Sequence, residues 1–493
     1  MNTRKEIRAF TVVLWAVASL VHAAVEGLPS IVYIICDDLG YGEIHALNPD
    51  RSKVPTPHVD KLASQGMVFT DAHSGSSVCT PTRYGVLTGR YAWRTRLQNG
   101  VVHHNGTPMI AEDRLTVPAL LKRSGYHTVA IGKWHLVYNF VDEGGERVQG
   151  SKKKKWNAGM PVGTRVEDSP ITRGFDYYIG FHHSAIIETF VENDRVIADK
   201  PKNEVLEFLG NRAVNYIGEQ AGTDNPFFLY LALNSPHTPI APSKDWIGKS
   251  GMGDYCDFLM ETDDVVGRVL QALEDRGMAD NTLVFFTSDN GCSAGPAHAA
   301  DLIKKYGHYP SAHLRGYKSD GWDGGHRVPF VVRWPGKVKA GSTNQELVCH
   351  TDMLATCAQL TGQKLAANEG EDSVSILPVL LGKNTKPVHD AVVHHSINGK
   401  FSIRQGKWKL CLHPGSGGWS GPKDAAARKE GLPEYQLYDM EKDIGETTNL
   451  AGQHPEKVEQ LLTLLKKQVA DGRSTPGTSQ HNDVGIDVFK KDK

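Results

Sequence analysis

The chain has 493 residues, of which 40% are hydrophobic and 23% are charged, an ordinary composition for a soluble globular protein of two or three domains. Its formal net charge is −1. This near balance argues against a nucleic-acid-binding protein, which would need a positive field to attract phosphates.

The first 23 residues have the pattern of a cleavable signal peptide. Three basic side chains precede an apolar stretch, 9–21, that is too short to span a bilayer comfortably. The small residues Val21 and Ala23 predict cleavage after Ala23, and an uncleaved anchor is the alternative. We therefore expect a secreted or periplasmic protein without a membrane span.

A continuous run of mostly β-branched and apolar residues, 30–36, predicts a buried parallel strand. Asp37 and Asp38 follow it directly. Open α/β sheets bind ligands at the carboxyl ends of their strands, so this acidic pair is a candidate ligand site. The alternative is a solvated acidic turn. A helix that starts at Thr56 and ends near Gly66 comes next.

A cysteine stands at the start of the following predicted helix, in the sequence Cys-Thr-Pro-Thr-Arg at 79–83. Thr80 is predicted to cap this helix and Gly89 to end it. Free N–H groups and the helix dipole there favour an anion and would lower the pKa of the Cys79 thiol. Arg83, one turn further on, would direct its guanidinium to the same place. The alternative is an ordinary buried cysteine.

Three more predicted strands end in polar side chains. Strand 128–131 leads to Lys133 and His135, strand 226–233 to His237, and strand 282–287 to Asp289 and Asn290. Each signal is weak alone, because a solitary Lys-x-His is common in proteins. Together with Asp37 and Asp38, and with helices between the strands, they predict one doubly wound sheet with a single site at its carboxyl edge.

One stretch of the chain and the set of cysteines are separate from this pattern. Residues 139–169 are rich in Gly and Lys and predict a long surface loop, whose basic run 152–155 is either a solvated loop or a lip that attracts a polyanion. The seven cysteines contain no C-x-x-C pair, which argues against a dense disulfide framework or a zinc site.

The C-terminal part predicts a small antiparallel sheet. Strands are expected at 392–396, 401–404, 407–412 and 436–439, with a hairpin turn at Asn398-Gly399, and an apolar stripe at 458–469 predicts a covering helix. The predicted organisation is thus a signal peptide (1–23), a catalytic domain (24–386), a small antiparallel-sheet subdomain (387–471) and a polar, mobile tail (472–493).

Six motifs together resemble one family. They are C-x-P-x-R at 79–83 with Thr-Gly-Arg at 88–90, Gly-Lys-Trp-His-Leu at 132–136, Pro-His-x-Pro at 236–239, Ser-Asp-Asn-Gly at 288–291, Leu-Arg-Gly-x-Lys at 314–318, and Trp-x-Gly-Gly-x-Arg-Val-Pro at 322–329. The set is similar to the signature of the type I sulfatases of the alkaline phosphatase superfamily. The resemblance runs from about Ile31 to Leu450, most of the chain.

The resemblance implies a fold and a set of cofactors. The fold is α/β, a large doubly wound mixed sheet flanked by helices, with the smaller C-terminal antiparallel sheet and its covering helix. A formylglycine-generating maturation enzyme would oxidise Cys79 to formylglycine (3-oxoalanine). One cation, Ca²⁺ rather than Mg²⁺, would be bound by residue 79 and by Asp37, Asp38, Asp289 and Asn290. Carboxylate and amide oxygens are also the ligands that such hard cations prefer.

The resemblance also implies the chemistry. Arg83, Lys133 and Lys318 would balance the remaining charge and bind sulfate oxygens. A hydroxyl of the hydrated formylglycine, deprotonated with help from Asp289, would attack sulfur. His237, aided by Lys318, would protonate the leaving alcohol, and His135 would take the proton of the second hydroxyl as sulfate is expelled.

The predicted function is hydrolysis of sulfate esters of sulfated mono-, oligo- or polysaccharides by an exported enzyme. The segment 77–84 looks closest to sulfatases of the N-acetylgalactosamine-6-sulfate type. Two alternatives remain: a phosphoester or phosphonate hydrolase of the same superfamily, and a non-catalytic polyanion-binding protein whose Cys79 is never modified. Turnover of an aryl phosphate would indicate the first, and an intact thiol the second.

Overall fold

The structure is a computed structural model that describes residues 27–103, 105–148 and 160–490. The predicted signal peptide and the basic run 152–155 lie outside these residues.

The strands are β1 (Ser30–Asp37), β2 (Met67–Phe69), β3 (Ala72–His73), β4 (His127–Lys133), β5 (Asn139–Val141), β6 (Arg165–Glu167), β7 (Tyr177–Phe181), β8 (Thr189–Glu192), β9 (Arg195–Asp199), β10 (Phe227–Pro236), β11 (Thr282–Ser288), β12 (Phe330–Arg333), β13 (Ser342–Asn344), β14 (Val348–Cys349), β15 (Val392–His395), β16 (Phe401–Gln405), β17 (Trp408–Cys411) and β18 (Gln436–Asp439). The helices are α1 (Pro57–Gln65), α2 (Cys79–Thr88), α3 (Val117–Lys122), α4 (Val205–Gln220), α5 (Asp254–Asp275), α6 (Ala299–Tyr306), α7 (Asp323–His326), α8 (Met353–Leu360), α9 (Leu377–Leu380), α10 (Asp424–Lys429) and α11 (Pro455–Ala470).

A large mixed sheet forms the centre of the molecule. In the part of the chain that the structure describes, its order is β13-β2-β12-β11-β1-β10-β4-β7-β8-β9-β6-β5. The five strands from β11 to β7 are parallel, and β12 runs antiparallel to β11. The predicted fold class, a large mixed sheet with a smaller antiparallel sheet, is therefore confirmed.

Helices cover both faces of the sheet, and β1 shows why. Its alternate residues Ile31, Tyr33 and Ile35 pack in one core with α2, α3 and α8. Val32 and Ile34 pack in the other core with α1, α4 and α5. A strand buried on both faces reads as a continuous apolar run, which is what made this strand recognisable in the sequence.

Two details differ from the expectations. The surface loop 139–169 contains β5 and β6, which pair antiparallel at the edge of the sheet. Helix α2 begins at Cys79 with Val78 at the N-cap, so Thr80 lies in the first turn instead of capping the helix. Gly89 does end the helix, with φ at 64°.

The small C-terminal sheet agrees with the prediction. Strands β15 to β18 pair in sequence order, each antiparallel to the next. Helix α11 covers them through Leu461, Leu462 and Leu465, which share a core with β16 and β17. The exact boundary of this subdomain near residue 387 stays a prediction.

The tail after Gly472 packs against the part of the molecule that contains the large sheet. This packing differs from the prediction of a mobile tail. Asp483 forms an ion pair with Arg90 at 2.9 Å, and its backbone N–H donates to the carbonyl of Arg94. Within the described ranges, no helix combines the length and apolar character needed to cross a bilayer. All seven cysteines are buried and unpaired.

Candidate active site

The predicted polar side chains meet at the carboxyl ends of the parallel strands. Strands β4, β10, β1 and β11 are adjacent and run in the same direction, so their last residues come together at one edge of the sheet. Lys133 Nζ donates to Asp37 Oδ2 at 2.6 Å. His237 Nε2 lies 3.7 Å from Asp38 Oδ2.

Cys79 lies beside this carboxylate group, as the first residue of α2. A ligand atom of Cys79 lies within 4.8 Å of carboxylate oxygens of Asp37 and Asp289. The side chain is only 3% exposed. Burial raises the pKa of the thiol above its usual value, although Lys133 and Lys318 act in the opposite direction. The predicted acidification is therefore wrong, because loss of hydration outweighs the positive charges of Lys133 and Lys318.

Arg83 is fully buried and bound to Asp289. Its Nε and Nη2 atoms donate to Asp289 Oδ2 at 3.0 and 2.7 Å, and Nη1 donates to the carbonyl of Lys133 at 3.3 Å. The guanidinium thus reaches the edge of the sheet, as predicted, but it is held there by a carboxylate. This arrangement fixes α2 to the end of β11.

Lys318 and Asn290 enclose Asp38. Lys318 Nζ lies 2.6 Å from Asp38 Oδ1, and Asn290 Nδ2 donates to the same oxygen at 2.8 Å. Burial alone would raise the pKa of Asp38, but Lys318 and His237 hold it below its usual value. Asp37 behaves likewise through His237 and Lys133. Both carboxylates are therefore ionised at neutral pH.

Two buried oxygens of this group have no hydrogen-bond partner within the described chain: Asp37 Oδ1 and Asn290 Oδ1. Buried polar atoms are normally satisfied, so such atoms in a carboxylate cluster indicate a missing partner. A cation would supply it, and the donors are the oxygens that hard divalent ions select. The residues at this edge thus fit an oxygen-ligated cation.

His135 follows the end of β4, two residues after Lys133. Its Nε2 atom is 3.0 Å from the carbonyl of Val102, which assigns the proton to Nε2, and its buried Nδ1 has no hydrogen-bond partner in the described residues. Burial, with the positive charge of Lys133, holds its pKa well below the usual value. His135 is therefore a neutral imidazole with an available lone pair.

A cavity of about 560 Å³ opens beside this group. Its polar wall contains Asp38, His237 and Lys318, and its other walls include Tyr317 and Trp419. Trp419 was not among the residues singled out in the sequence. A tryptophan within a Gly- and Ser-rich stretch, Gly-Ser-Gly-Gly-Trp-Ser-Gly at 415–421, was the available signal.

Comparison with known proteins agrees with this geometry. The family model described as Sulfatase matches residues 29–363. An N-acetylgalactosamine-6-O-sulfatase of Bacteroides thetaiotaomicron is 30% identical, with 89% of this chain and 92% of the relative covered. Human arylsulfatase A is 31% identical, with 94% and 93% covered.

Similar solved structures include a protein of glycosaminoglycan metabolism and a phosphonate hydrolase. A structure from work on the metabolism of multiple glycosaminoglycans by Bacteroides thetaiotaomicron (BT33336S-sulf) has a TM-score of 0.78 at 29% identity and covers 90% of this chain and 99% of its own. A phosphonate monoester hydrolase of Silicibacter pomeroyi, with a TM-score of 0.60 at 17% identity over 90% of this chain and 96% of its own, shares the fold alone. The chain therefore belongs to the sulfatase family of the alkaline phosphatase superfamily, whose members hydrolyse sulfate esters.

Proposed function

We propose that this protein is an exported sulfatase that removes sulfate from a sulfated carbohydrate, using a formylglycine at position 79 and one divalent cation. The observation that carries the proposal is the group of side chains near Cys79: carboxylates, positively charged side chains and two buried oxygens without a hydrogen-bond partner in the described residues. The relative that is named an N-acetylgalactosamine-6-O-sulfatase supports a 6-sulfated amino sugar as the substrate. The pattern of the first 23 residues supports export.

The cation would be held by Asp37, Asp38, Asp289, Asn290 and residue 79. We favour Ca²⁺ over Mg²⁺, because a set of this size suits the larger coordination shell of calcium. When bound, the ion supplies positive charge that stabilises the negative charge of the reacting group.

The remaining side chains bind the sulfate group and move protons. Lys318 lines the cavity, so its ammonium group can donate to a sulfate oxygen, and Lys133 and Arg83 add positive charge at the carboxyl ends of the neighbouring strands. His237 also lines the cavity. Its Nδ1 bonds the carbonyl of Thr238, so Nε2 delivers a proton to the leaving alcohol when the ring is in its imidazolium form. His135, neutral and with Nδ1 unpartnered, can accept the proton that is lost when sulfate departs.

The test is to produce the protein together with a formylglycine-generating enzyme. Peptide mass spectrometry over residues 79–83 measures conversion, and sulfate release is followed on sulfated mono- and oligosaccharides, an aryl sulfate and an aryl phosphate. We expect conversion, turnover of sulfated sugars, and no turnover by the Cys79→Ala variant. Converted protein that releases no sulfate from any ester would contradict the proposal. Faster turnover of the aryl phosphate would favour the phosphohydrolase alternative. A Cys79 thiol that is never converted would favour the alternative of a non-catalytic polyanion-binding protein.

The cation is tested on the same material. Chelation with EDTA should abolish activity, and Ca²⁺ should restore more of it than Mg²⁺ does. An Asn290→Ala variant should need a higher Ca²⁺ concentration for the same thermal stabilisation, because it loses one oxygen ligand. Activity that is unchanged after complete chelation would exclude a catalytic cation.

A further inference from the structure

Trp419 is a large exposed aromatic side chain at the mouth of the candidate active site. Its side chain is 54% exposed, and it lines the same cavity as Asp38, His237 and Lys318. Exposed tryptophans are uncommon on proteins, and one beside a polar cavity marks a surface that contacts a ligand. It belongs to the loop between β17 and α10, so the small C-terminal sheet supplies this wall.

The loop is fixed to the segment that carries Lys318. The backbone N–H of Trp419 lies 3.0 Å from both Ser319 Oγ and Asp320 Oδ1, and the N–H of Ser420 donates to Asp320 Oδ1 at 3.1 Å. Asp320 is itself fully buried. The backbone that carries the indole is therefore held beside the segment of Lys318 by hydrogen bonds.

Gly418 allows this close approach. A Cβ atom at position 418 would lie 2.3 Å from the carbonyl oxygen of Ser319 and 2.6 Å from Asp320 Oδ1. Any side chain there would push the loop, and Trp419 with it, away from the cavity. The glycine before the tryptophan is thus required by the same contact that places the indole.

The cavity divides into two kinds of surface. Lys318 and His237 can donate to a sulfate group, with the proposed cation ligand Asp38 beside them, whereas Trp419 and Tyr317 offer aromatic surface. A sugar ring has hydroxyl groups at its edge and C–H groups on its faces. Aromatic faces carry negative charge density and attract such C–H groups, while burial of both surfaces adds apolar contact.

We propose that Trp419 is the platform on which the sugar ring of the substrate stacks, so that it determines the preference for carbohydrate sulfates. Asp320 is the positioning residue that holds this platform. The inference rests on the proposed function, because it names the part of the substrate that this wall contacts. The predicted substrate class is a sulfated pyranose, with its ring against the indole and its sulfate toward Lys318.

The test compares Trp419→Ala, Trp419→Phe and the matched control Trp408→Ala in converted protein. Trp408 lies on β17 against His454, with ring centroids 5.1 Å apart, and is not among the residues that line this cavity. We expect Trp419→Ala to raise the KM for a sulfated saccharide about tenfold with little change in kcat, since stacking is a binding contact. Trp419→Phe should keep most of the affinity, and Trp408→Ala should match the wild type. The inhibition constant of inorganic sulfate should not change in any of them.

A second measurement separates this inference from the proposed function. Binding of the same saccharide to Cys79→Ala protein, with and without Trp419→Ala, is measured by calorimetry and needs no turnover. Weaker binding without the indole supports the platform. Equal binding and an unchanged KM would overturn the platform while leaving the sulfatase proposal intact. Converted wild-type protein that neither binds nor turns over any sulfated saccharide would overturn both.

Discussion

The charged side chains closest to residue 79 form ion pairs with one another, because they are buried. Arg83 and Asp289 are both completely buried and lie 2.7 Å apart. Neither charge can be removed alone without leaving the other in a poorly solvating environment. Stability and function are therefore linked in the same residues.

Replacing Asp289 with Asn should destabilise the protein by about 3–5 kcal/mol, because Arg83 loses its buried partner. Urea unfolding measures this loss, and sulfate release should be abolished in the same variant. The control is Asp264→Asn, which removes a partly exposed pair with Arg268 at 3.0 Å and should cost less than about 0.5 kcal/mol. Similar losses in the two variants would contradict the importance of burial.

Glu43 should make stability fall as pH rises. Burial raises its pKa from 4.5 to about 8, despite hydrogen bonds from Tyr255 and from the N–H of Gly40. Between these pH values the folded chain holds a proton that the unfolded chain releases, so each pH unit of increase lowers the free energy of unfolding by up to about 1.4 kcal/mol. Glu43→Gln removes this contribution. Denaturant unfolding at pH 5 and pH 8 should show a smaller decrease for the variant, and identical decreases would refute the prediction.

At the scale of elements, helix α2 depends on how it ends. Gly89 has φ at +64°, and a Cβ there would lie 2.9 Å from Ser373 Cβ and 3.0 Å from Leu354 Cβ. Gly277, after α5, has φ at +66° with nothing within 4 Å of its Cβ position. Gly277→Ala should therefore cost only the backbone strain, about 1–2 kcal/mol. Gly89→Ala should cost about 1–3 kcal/mol more, because atoms must also move. Equal unfolding midpoints would show that the contacts of Gly89 relax freely.

Most elements could be predicted because their signals are local. The doubly buried strand β1, the glycine after α2 and the hairpins of the C-terminal sheet are each visible within ten or so residues. The three-residue strands β5 and β6 are too short to show a periodicity, and a long stretch of chain, 142–164, separates them.

The site was predictable in part for a related reason. Parallel strands bring their carboxyl ends together, so Asp37, Lys133, His237 and Asp289 could be placed at one edge from topology alone. The pKa of Cys79 could not be predicted, because it depends on burial by distant segments. Trp419 was missed because its loop reaches the cavity through tertiary contacts with Ser319 and Asp320.

At the scale of the whole molecule, the tail after Gly472 packs against the segment that follows α2 and against Asp372. Asp483 pairs with Arg90, Asn482 accepts from Arg94 at 3.0 Å, and the N–H of Ser474 donates to Asp372. These contacts join the end of the chain to the helix and turn that follow residue 79.

Removing residues 472–493 should lower the melting temperature by a few degrees and leave the sheets folded. Arg90 and Arg94 would lose partners but keep Glu371 and Asp372, so the effect should be moderate. Asp483→Ala, which removes one ion pair, should cause a smaller shift. Calorimetry provides the measurement, and an unchanged melting temperature after truncation would mean that the tail contacts are weak.

All ten residues of α2 are buried, and Cys79 is the first of them. A second enzyme cannot draw that segment into its own catalytic cleft once the sheet and the C-terminal loops have closed around it. If residue 79 is the formylglycine that we propose, its oxidation must therefore happen on the nascent or still unfolded polypeptide. Under that proposal, a chain that folds first keeps its thiol, and later exposure to the maturation enzyme cannot rescue it.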